Sequence, residues 1–557
     1  MEKTLIAILM VVFFRYFAWT IKIVGVVIWY LVMGIVMGMW RIVRHPILQI
    51  ERFQEFFRRD RKKASNKVVV QEVTTSPTIK SVIRERFKKN FRRNLGVTLV
   101  VAFVLVGIHR IDFFMDMEDA SMDFITKYWP MKPSSDNTYF VFIDIDDKTF
   151  EKWGNPLLVP RDHLKSLLEK SINARPKLIV LDTRFTVKTP VKDVEDLGKE
   201  EQCQKLKLHK NDCALYIYLE NQAKCEGKVC PPPIILTRNF DPSSEQTGAV
   251  YYYLPKLRPT FLDDAIKTDS AFVRWVSVRF PSSSGGKVRR WRWLWQPVCN
   301  GDDQNPANVI PSVQLLVASF VKNGNFDLLT ESNKTTLDTF KDYMTCNKGD
   351  ENNVDLSKMW FTSLPEVQVS NGLRILLEKS VSQRIIYDKE MSWPPKEKRC
   401  DNNDQTKVLS VCSAWDFESS EVTSEFIKGK VVIIGGSGKY GEISDMHYTP
   451  VGQMPGGVLL IHAINSLVRY GQVGVLSWPN ELLLYSLVCL FMVVVFTSFS
   501  DSYDGMTLSA ILSMVILIPV TGWLYQEYGS WLGFGVTLMI IYYSHHLIEI
   551  SGHKSKE

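Results

Sequence analysis

The chain has 557 residues, of which 46% are apolar, 12% aromatic and 23% charged, with a formal net charge of +7. That length leaves room for two or three domains, and the apolar content excludes an intrinsically disordered chain. The charge is concentrated: residues 41–94 hold 16 Lys and Arg against 5 Asp and Glu, so the remainder is slightly acidic, and a uniformly basic nucleic-acid binder is excluded.

In chain order, residues 1–40 read as an N-terminal membrane segment. Ile23–Trp40 is apolar enough for one span, whereas Arg15 and Lys22 interrupt the run before it. A surface helix followed by one span, with the N-terminus outside, is the expected arrangement, and a re-entrant hairpin is the alternative. Residues 41–94 read as a basic, amphipathic cytoplasmic segment. Ile47, Ile50, Phe53 and Phe57 fall at helical spacing, with arginines opposite. Such helices lie against anionic headgroups of the bilayer, and this segment is also the expected docking platform for a membrane or cytosolic protein partner. Residues 95–114, built on Leu95–Ile108, form the next expected transmembrane helix. With the basic segment inside, that helix leads outward.

Residues 115–475 then form a domain on the outer side. Tyr139–Asp147 is an apolar strand ending in Asp144, Asp146 and Asp147; a helical pattern follows from Arg161, and Lys177–Asp182 is a second strand ending in acid. Strand, helix and strand with near-continuous apolar strands make a parallel crossover unit. Ile234–Thr237 adds a strand, Phe272–Phe280 and Val288–Trp295 read as a hairpin around Ser-Ser-Gly-Gly, and Val313–Val321 reads as a helix. Val431–Gly436 closes the sheet and a helix follows over Gly457–Val468. The expected class is α/β, a mixed and mainly parallel sheet, accompanied by α-helical transmembrane segments.

Eight of the nine cysteines lie between Cys203 and Cys412. An even set confined to one polar region reads as disulfides, which persist outside the cytosol. Proximity suggests Cys203 with Cys213, Cys225 with Cys230, Cys400 with Cys412, and Cys299 with Cys346. Zinc is the rival, but no C-x-x-C occurs.

Three constellations are candidates for function. Asp144, Asp146, Asp147 and Asp182 fall at strand carboxyl ends, the ligand edge of an open α/β sheet, and Asp445 and His447 would join them if the last strand is a neighbour. Against this, strand-end aspartates also cap helices and satisfy loop amides. Arg290-Trp291-Arg292-Trp293-Leu294-Trp295 alternates with period two, placing Trp291, Trp293 and Trp295 on one face of a strand with Arg290 and Arg292 behind; this is a partner surface or core. Gly436–Gly441 spells G-x-G-x-x-G, but the prolines that follow argue against the helix that a dinucleotide needs. No cofactor, metal or catalytic set is expected, and the chain is not expected to be an enzyme.

Residues 476–550 carry three further expected spans, Leu482–Phe499, Met506–Tyr525 and Trp531–Ile550, with aromatics at their ends. His545, His546 and Glu549 read as interfacial polar residues. Residues 551–557 form a short cytoplasmic tail.

Several motifs together resemble the type-2 CHASE domain, an extracytoplasmic sensory module of cyclases and histidine kinases. They are Ile143–Thr149, Trp153-Gly154 with Pro160-Arg161, Leu181–Phe185, Gly286–Arg290, and Gly429–Gly436 with Asp445–Pro450, Met454–Gly457 and Ile461–Ala463. The resemblance covers roughly 350 residues and implies a sensory α/β domain followed by three membrane helices. Members usually carry an output domain after the third helix, so a sensor ending at Glu557 is expected to signal through a partner. The resulting expectation is an oligomeric membrane sensor or adaptor of the bacterial inner membrane, its periplasmic domain binding a small ligand or an envelope protein. The alternatives are a structural subunit of an envelope or secretion assembly and, more distantly, a Mg-dependent hydrolase.

Overall fold

The computed structural model describes residues 96, 112–129, 138–225, 230–240, 251–253, 257–266, 270, 272–280, 286–291, 295–298, 308–326, 353–355, 367–369, 373–375, 384–388, 391–395, 398, 400, 407–419, 424–439, 441–475 and 503–531. The expected N-terminal segments, the spans Leu95–Ile108 and Leu482–Phe499, nearly all of Trp531–Ile550, the tail, and Cys299 and Cys346 lie outside these residues.

Six apolar strands pair in one wholly parallel sheet. They are β1 (Phe140–Ile145), β2 (Leu178–Asp182), β3 (Ile234–Arg238), β4 (Val273–Ser277), β5 (Leu409–Ser413) and β6 (Val431–Gly436), in the spatial order β5-β1-β6-β2-β3-β4. Both faces of the sheet are covered, which explains why the strands read as continuous apolar runs rather than alternating ones. Phe140, Phe142, Leu178, Val180, Val431 and Ile433 pack with helices α5 (Val313–Asn323) and α7 (Gly456–Asn465). On the opposite face, Val141, Ile143, Ile179, Leu181, Val432 and Ile434 pack with α3 (Arg161–Asn173) and α4 (Lys210–Ala223). All ten residues of α7 are buried, so this helix is apolar all round because it is enclosed all round.

Antiparallel pairing is confined to small two-stranded ribbons, among them β7 (Met446–Thr449) with β8 (Gly452–Pro455). The expected hairpin of Phe272–Phe280 with Val288–Trp295 is not formed. Its first half is the sheet's edge strand β4, parallel to β3, while beyond Gly286 the chain leaves the sheet: Lys287 bridges Tyr448 and Arg290 bridges Arg384. The cause is Trp291, which is fully buried in the core beside α5 and draws this segment inward. Trp291 is therefore core and takes no part in an exposed partner surface. Arg290 is turned onto Asp119, 2.5 Å away; Arg292 and Trp293 lie outside the described residues, and Trp295 opens a short strand, Trp295–Val298.

Disulfides join Cys203 to Cys213, Cys225 to Cys230 and Cys400 to Cys412, as proximity suggests. Helix α1 (Asp112–Tyr128) packs through Met122 and Ile125 against Tyr525 of α8 (Tyr503–Tyr528). The expected span Met506–Tyr525 falls inside α8, a helix of 26 residues. Among the described residues, no helix is long and apolar enough to cross a membrane.

Candidate functional site

The register of the sheet places Ser413 of β5, Asp144 of β1, Gly435 of β6 and Asp182 of β2 side by side at the carboxyl edge. All four point to the face covered by α5 and α7, since each stands two residues beyond a core residue of that face. Strand β6 separates the two aspartates and contributes only a hydrogen at Gly435. The five acids and the histidine expected to share one site consequently divide into two neighbourhoods, with Asp147 outside both.

Around Asp144 the site is already filled by a side chain of the protein itself. Lys398 donates to Asp144 Oδ2 at 2.7 Å and to Asp146 Oδ2 at 2.9 Å. Its segment is closed onto β5 by the Cys400–Cys412 disulfide, immediately before Ser413. Asp146 Oδ1 caps the short helix α2 (Asp147–Lys152), accepting the Thr149 N–H at 2.9 Å and the Ser413 hydroxyl at 3.1 Å. Burial pushes the Asp144 carboxyl up to about 6, with Lys398 opposing. For Asp146 burial acts in the same direction, but the Thr149 N–H and Lys398 outweigh it and hold this carboxyl below its ordinary value. Asp147 accepts the Lys439 N–H at 2.8 Å and so pins the loop after β6.

That loop is the G-x-G-x-x-G run. It leads through a turn at Gly441–Ile443 into the β7–β8 ribbon rather than straight into a helix, so the geometry that meets a pyrophosphate is missing. The glycines have a packing reason: a Cβ on Gly436 would lie 2.8 Å from Ile443 Cα, and one on Gly438 would lie 2.0 Å from Ile443 Cδ1.

Around Asp182 there is open space. A cavity of about 160 Å³ is lined by Asp182, Asp445, His447 and Arg184, with Leu459 and Leu460 of α7 as its apolar wall. Burial, and then the neighbouring Asp445, push Asp182 up to about 7. His447 Nε2 lies 2.9 Å from Asp445 Oδ1, and this hydrogen bond raises the imidazole above its ordinary range against the effect of burial. Asp445 also starts α7: its carbonyl accepts the Gly456 N–H at 2.7 Å, and its carboxylate occupies the space of a Gly456 side chain, Oδ2 lying 1.8 Å from where that Cβ would be.

The wall of the cavity is set by Arg161, which is fully buried at the first turn of α3. It donates to the Arg184 carbonyl at 2.7 Å and pairs with Glu442 at 3.6 Å and Asp212 at 4.0 Å. Glu442 in turn accepts the Val159 N–H at 2.8 Å. His462 of α7 accepts the Asp388 N–H through Nδ1 and faces the Met391 carbonyl through Nε2; burial pushes its pKa down to about 4, so it is a neutral structural imidazole.

Comparison with known families decides the affiliation. The CHASE2 domain family matches residues 97–496. The chain belongs to this family. CHASE2 is an extracytoplasmic sensory domain, which agrees with the disulfides formed here. No curated protein and no solved structure matches the chain.

Within the CHASE2 domain, the Asp182, Asp445 and His447 trio was legible as strand-end and loop acids, whereas Lys398, Glu442 and Thr183 were missed as site residues. Lys398 has a signal in retrospect: it stands two residues before a cysteine whose partner adjoins the acidic edge. Among the described residues, the one group of His, Cys, Asp and Glu atoms close enough to share an ion is Glu200 with Cys203 and Cys213, and both cysteines are spent in a disulfide.

Proposed function

We propose that this CHASE2 protein is a membrane-integrated sensor whose outer domain binds a small ligand in the Asp182–Asp445–His447 cavity and whose state is read by a partner protein. The observation that carries the reading is the contrast between the two halves of the carboxyl edge: Lys398 fills one, and the other is a cavity of about 160 Å³ with the half-buried Asp182 at its wall. A half-buried, perturbed carboxyl in a cavity at the carboxyl ends of parallel strands is where ligands of open α/β sheets bind. The role assigned to the cavity is binding.

Relay is assigned to α1, which directly follows the expected span at 95–114. Its Asp119 accepts from Arg384 at 2.7 Å and Arg290 at 2.5 Å, and its Asp123 accepts from Arg289 at 3.0 Å and pairs with Arg384. Arg384 leads into Ile385–Asp388, which is tied to α7 through Ser466 and His462. A displacement of α7 by ligand therefore has a hydrogen-bonded path to the membrane-proximal helix. The basic segment 41–94, on the expected inner side of the bacterial cytoplasmic membrane, is the proposed partner contact.

Crosslinking of native membranes, followed by purification of this protein, tests the reading. Recovery of one signalling protein joined through residues 41–94, in a pattern that changes in an Asp445→Asn variant, is the expected result. Recovery only in a large stoichiometric assembly joined through residues 115–475, unchanged by that variant, would make the chain a structural subunit instead.

A further inference from the structure

The cavity's chemistry narrows its ligand, on the premise that the cavity is the sensor's binding site. Three observations bear on this. The acidic wall carries Asp182 and Asp445, with His447 bonded to Asp445 at 2.9 Å but no lysine set between the two acids as Lys398 is in the neighbouring half. Asp182, Asp445 and His447 do not form a group tight enough to share a metal ion, so a compact inorganic cation is a poor fit. An organic ammonium, with three donors on a tetrahedral nitrogen, can reach carboxylates set farther apart.

At the rim the charge is reversed. Arg184 lines the same cavity and is exposed; its charge acts on Asp182, but its guanidinium makes no close ion pair or hydrogen bond within the described structure. Its planar fork matches a carboxylate. Between the two poles, Leu459, Leu460, Val278 and Phe280 supply apolar wall. Thr183, 8% exposed, lines the cavity with its hydroxyl buried and without a partner. A buried hydroxyl left unpaired costs about 1–3 kcal/mol unless something bonds to it, which points to an occupant. The volume, about 160 Å³, is that of roughly five water molecules in the liquid.

We infer that the cavity binds a small zwitterion of amino-acid type, its ammonium held by Asp182 and Asp445, its carboxylate by Arg184, and its apolar body against Leu459 and Leu460. The net charge of such a ligand is zero, which suits a site whose own acids and bases nearly balance. A cation alone would leave Arg184 unpaired, and an anion alone would face the acid pair.

The test is binding to the purified full-length protein in lipid nanodiscs, followed by calorimetry and by thermal unfolding. The probes are glycine, L-alanine, L-valine and L-leucine, together with 3-methylbutylamine and 4-methylpentanoate, which keep only one charged end of leucine. At least one of the two larger amino acids is expected to bind saturably, the amine at least tenfold more weakly, and the acid not at all. Arg184→Ala should remove the preference for the amino acid over the amine while leaving the amine's affinity unchanged. Asp182→Asn should weaken both at least tenfold. Binding of the amine equal to that of leucine, or of the acid alone, overturns the zwitterion and leaves the sensor reading standing. No binding of any probe also overturns it, and the crosslinking pattern of the Asp445→Asn variant then decides separately whether the sensor reading survives.

Discussion

At the residue scale, Asp182 ties stability to the proposed ligand site. Its carboxyl is raised to about 7 from an ordinary 3.8, so the folded domain holds this proton more tightly than the unfolded chain does. The resulting stabilisation is complete below the unfolded value and is lost as pH rises through about 7. Asp144, raised to about 6, and His447, raised by Asp445, act in the same direction. The melting temperature should therefore fall between pH 5 and pH 8, and Asp182→Asn should flatten that fall. The substitution should add about 2 kcal/mol or more at pH 8, a shift of several degrees, and much less at pH 5. Scanning calorimetry at both pH values checks this; an equal effect at the two would contradict a raised Asp182. Lys398→Met should do the opposite, destabilising by about 2–4 kcal/mol because it strands Asp144, whose side chain is fully buried. Chemical unfolding at pH 7 would show it, and a neutral result would mean that the lysine is dispensable.

At the element scale, the strands and their helices were the legible part. Runs such as Phe140–Ile145 and Val431–Gly436 are too apolar to be anything but buried, and the crossover from β1 through α3 to β2 follows from their spacing. What could not be read was adjacency. Nothing local says that β6 inserts between β1 and β2, or that Gly435 then keeps Asp144 and Asp182 apart. The hairpin expectation failed for a related reason: Ser-Ser-Gly-Gly is sound turn chemistry, but the long-range burial of Trp291 overrode it. Elements also carry the proposed relay. Asp119→Asn combined with Asp123→Asn should leave the domain folded and ligand-competent while abolishing any ligand-dependent change in crosslinking at residues 41–94. Retention of that change in the double variant would remove α1 from the path.

At the scale of the whole molecule, the family affiliation and the cysteines speak to one compartment. Three disulfides formed within the CHASE2 domain belong to an oxidising environment. Peptide mapping of the protein isolated from membranes without reductant should recover Cys203–Cys213, Cys225–Cys230 and Cys400–Cys412 as linked pairs. Free thiols at all six positions would place the domain on the other side. The Cys400–Cys412 link matters most, because it holds the segment that delivers Lys398; its loss should resemble Lys398→Met more closely than loss of either other pair.

The position of β6 has a consequence for how the protein is made. The strand lies next to β1 in space, yet the ribosome supplies it some 290 residues later, after every other strand of the sheet. Until then the nascent sheet has a vacant slot flanked by two bare edges, those of β1 and β2, each a template for pairing with another chain. A product truncated anywhere before Val431 is thus a ready substrate for aggregation and for proteolysis, and it lacks both the wedge that sets the two aspartates apart and the loop that brings Asp445. The closed sheet and the proposed ligand site are in this way completed at the same moment of synthesis.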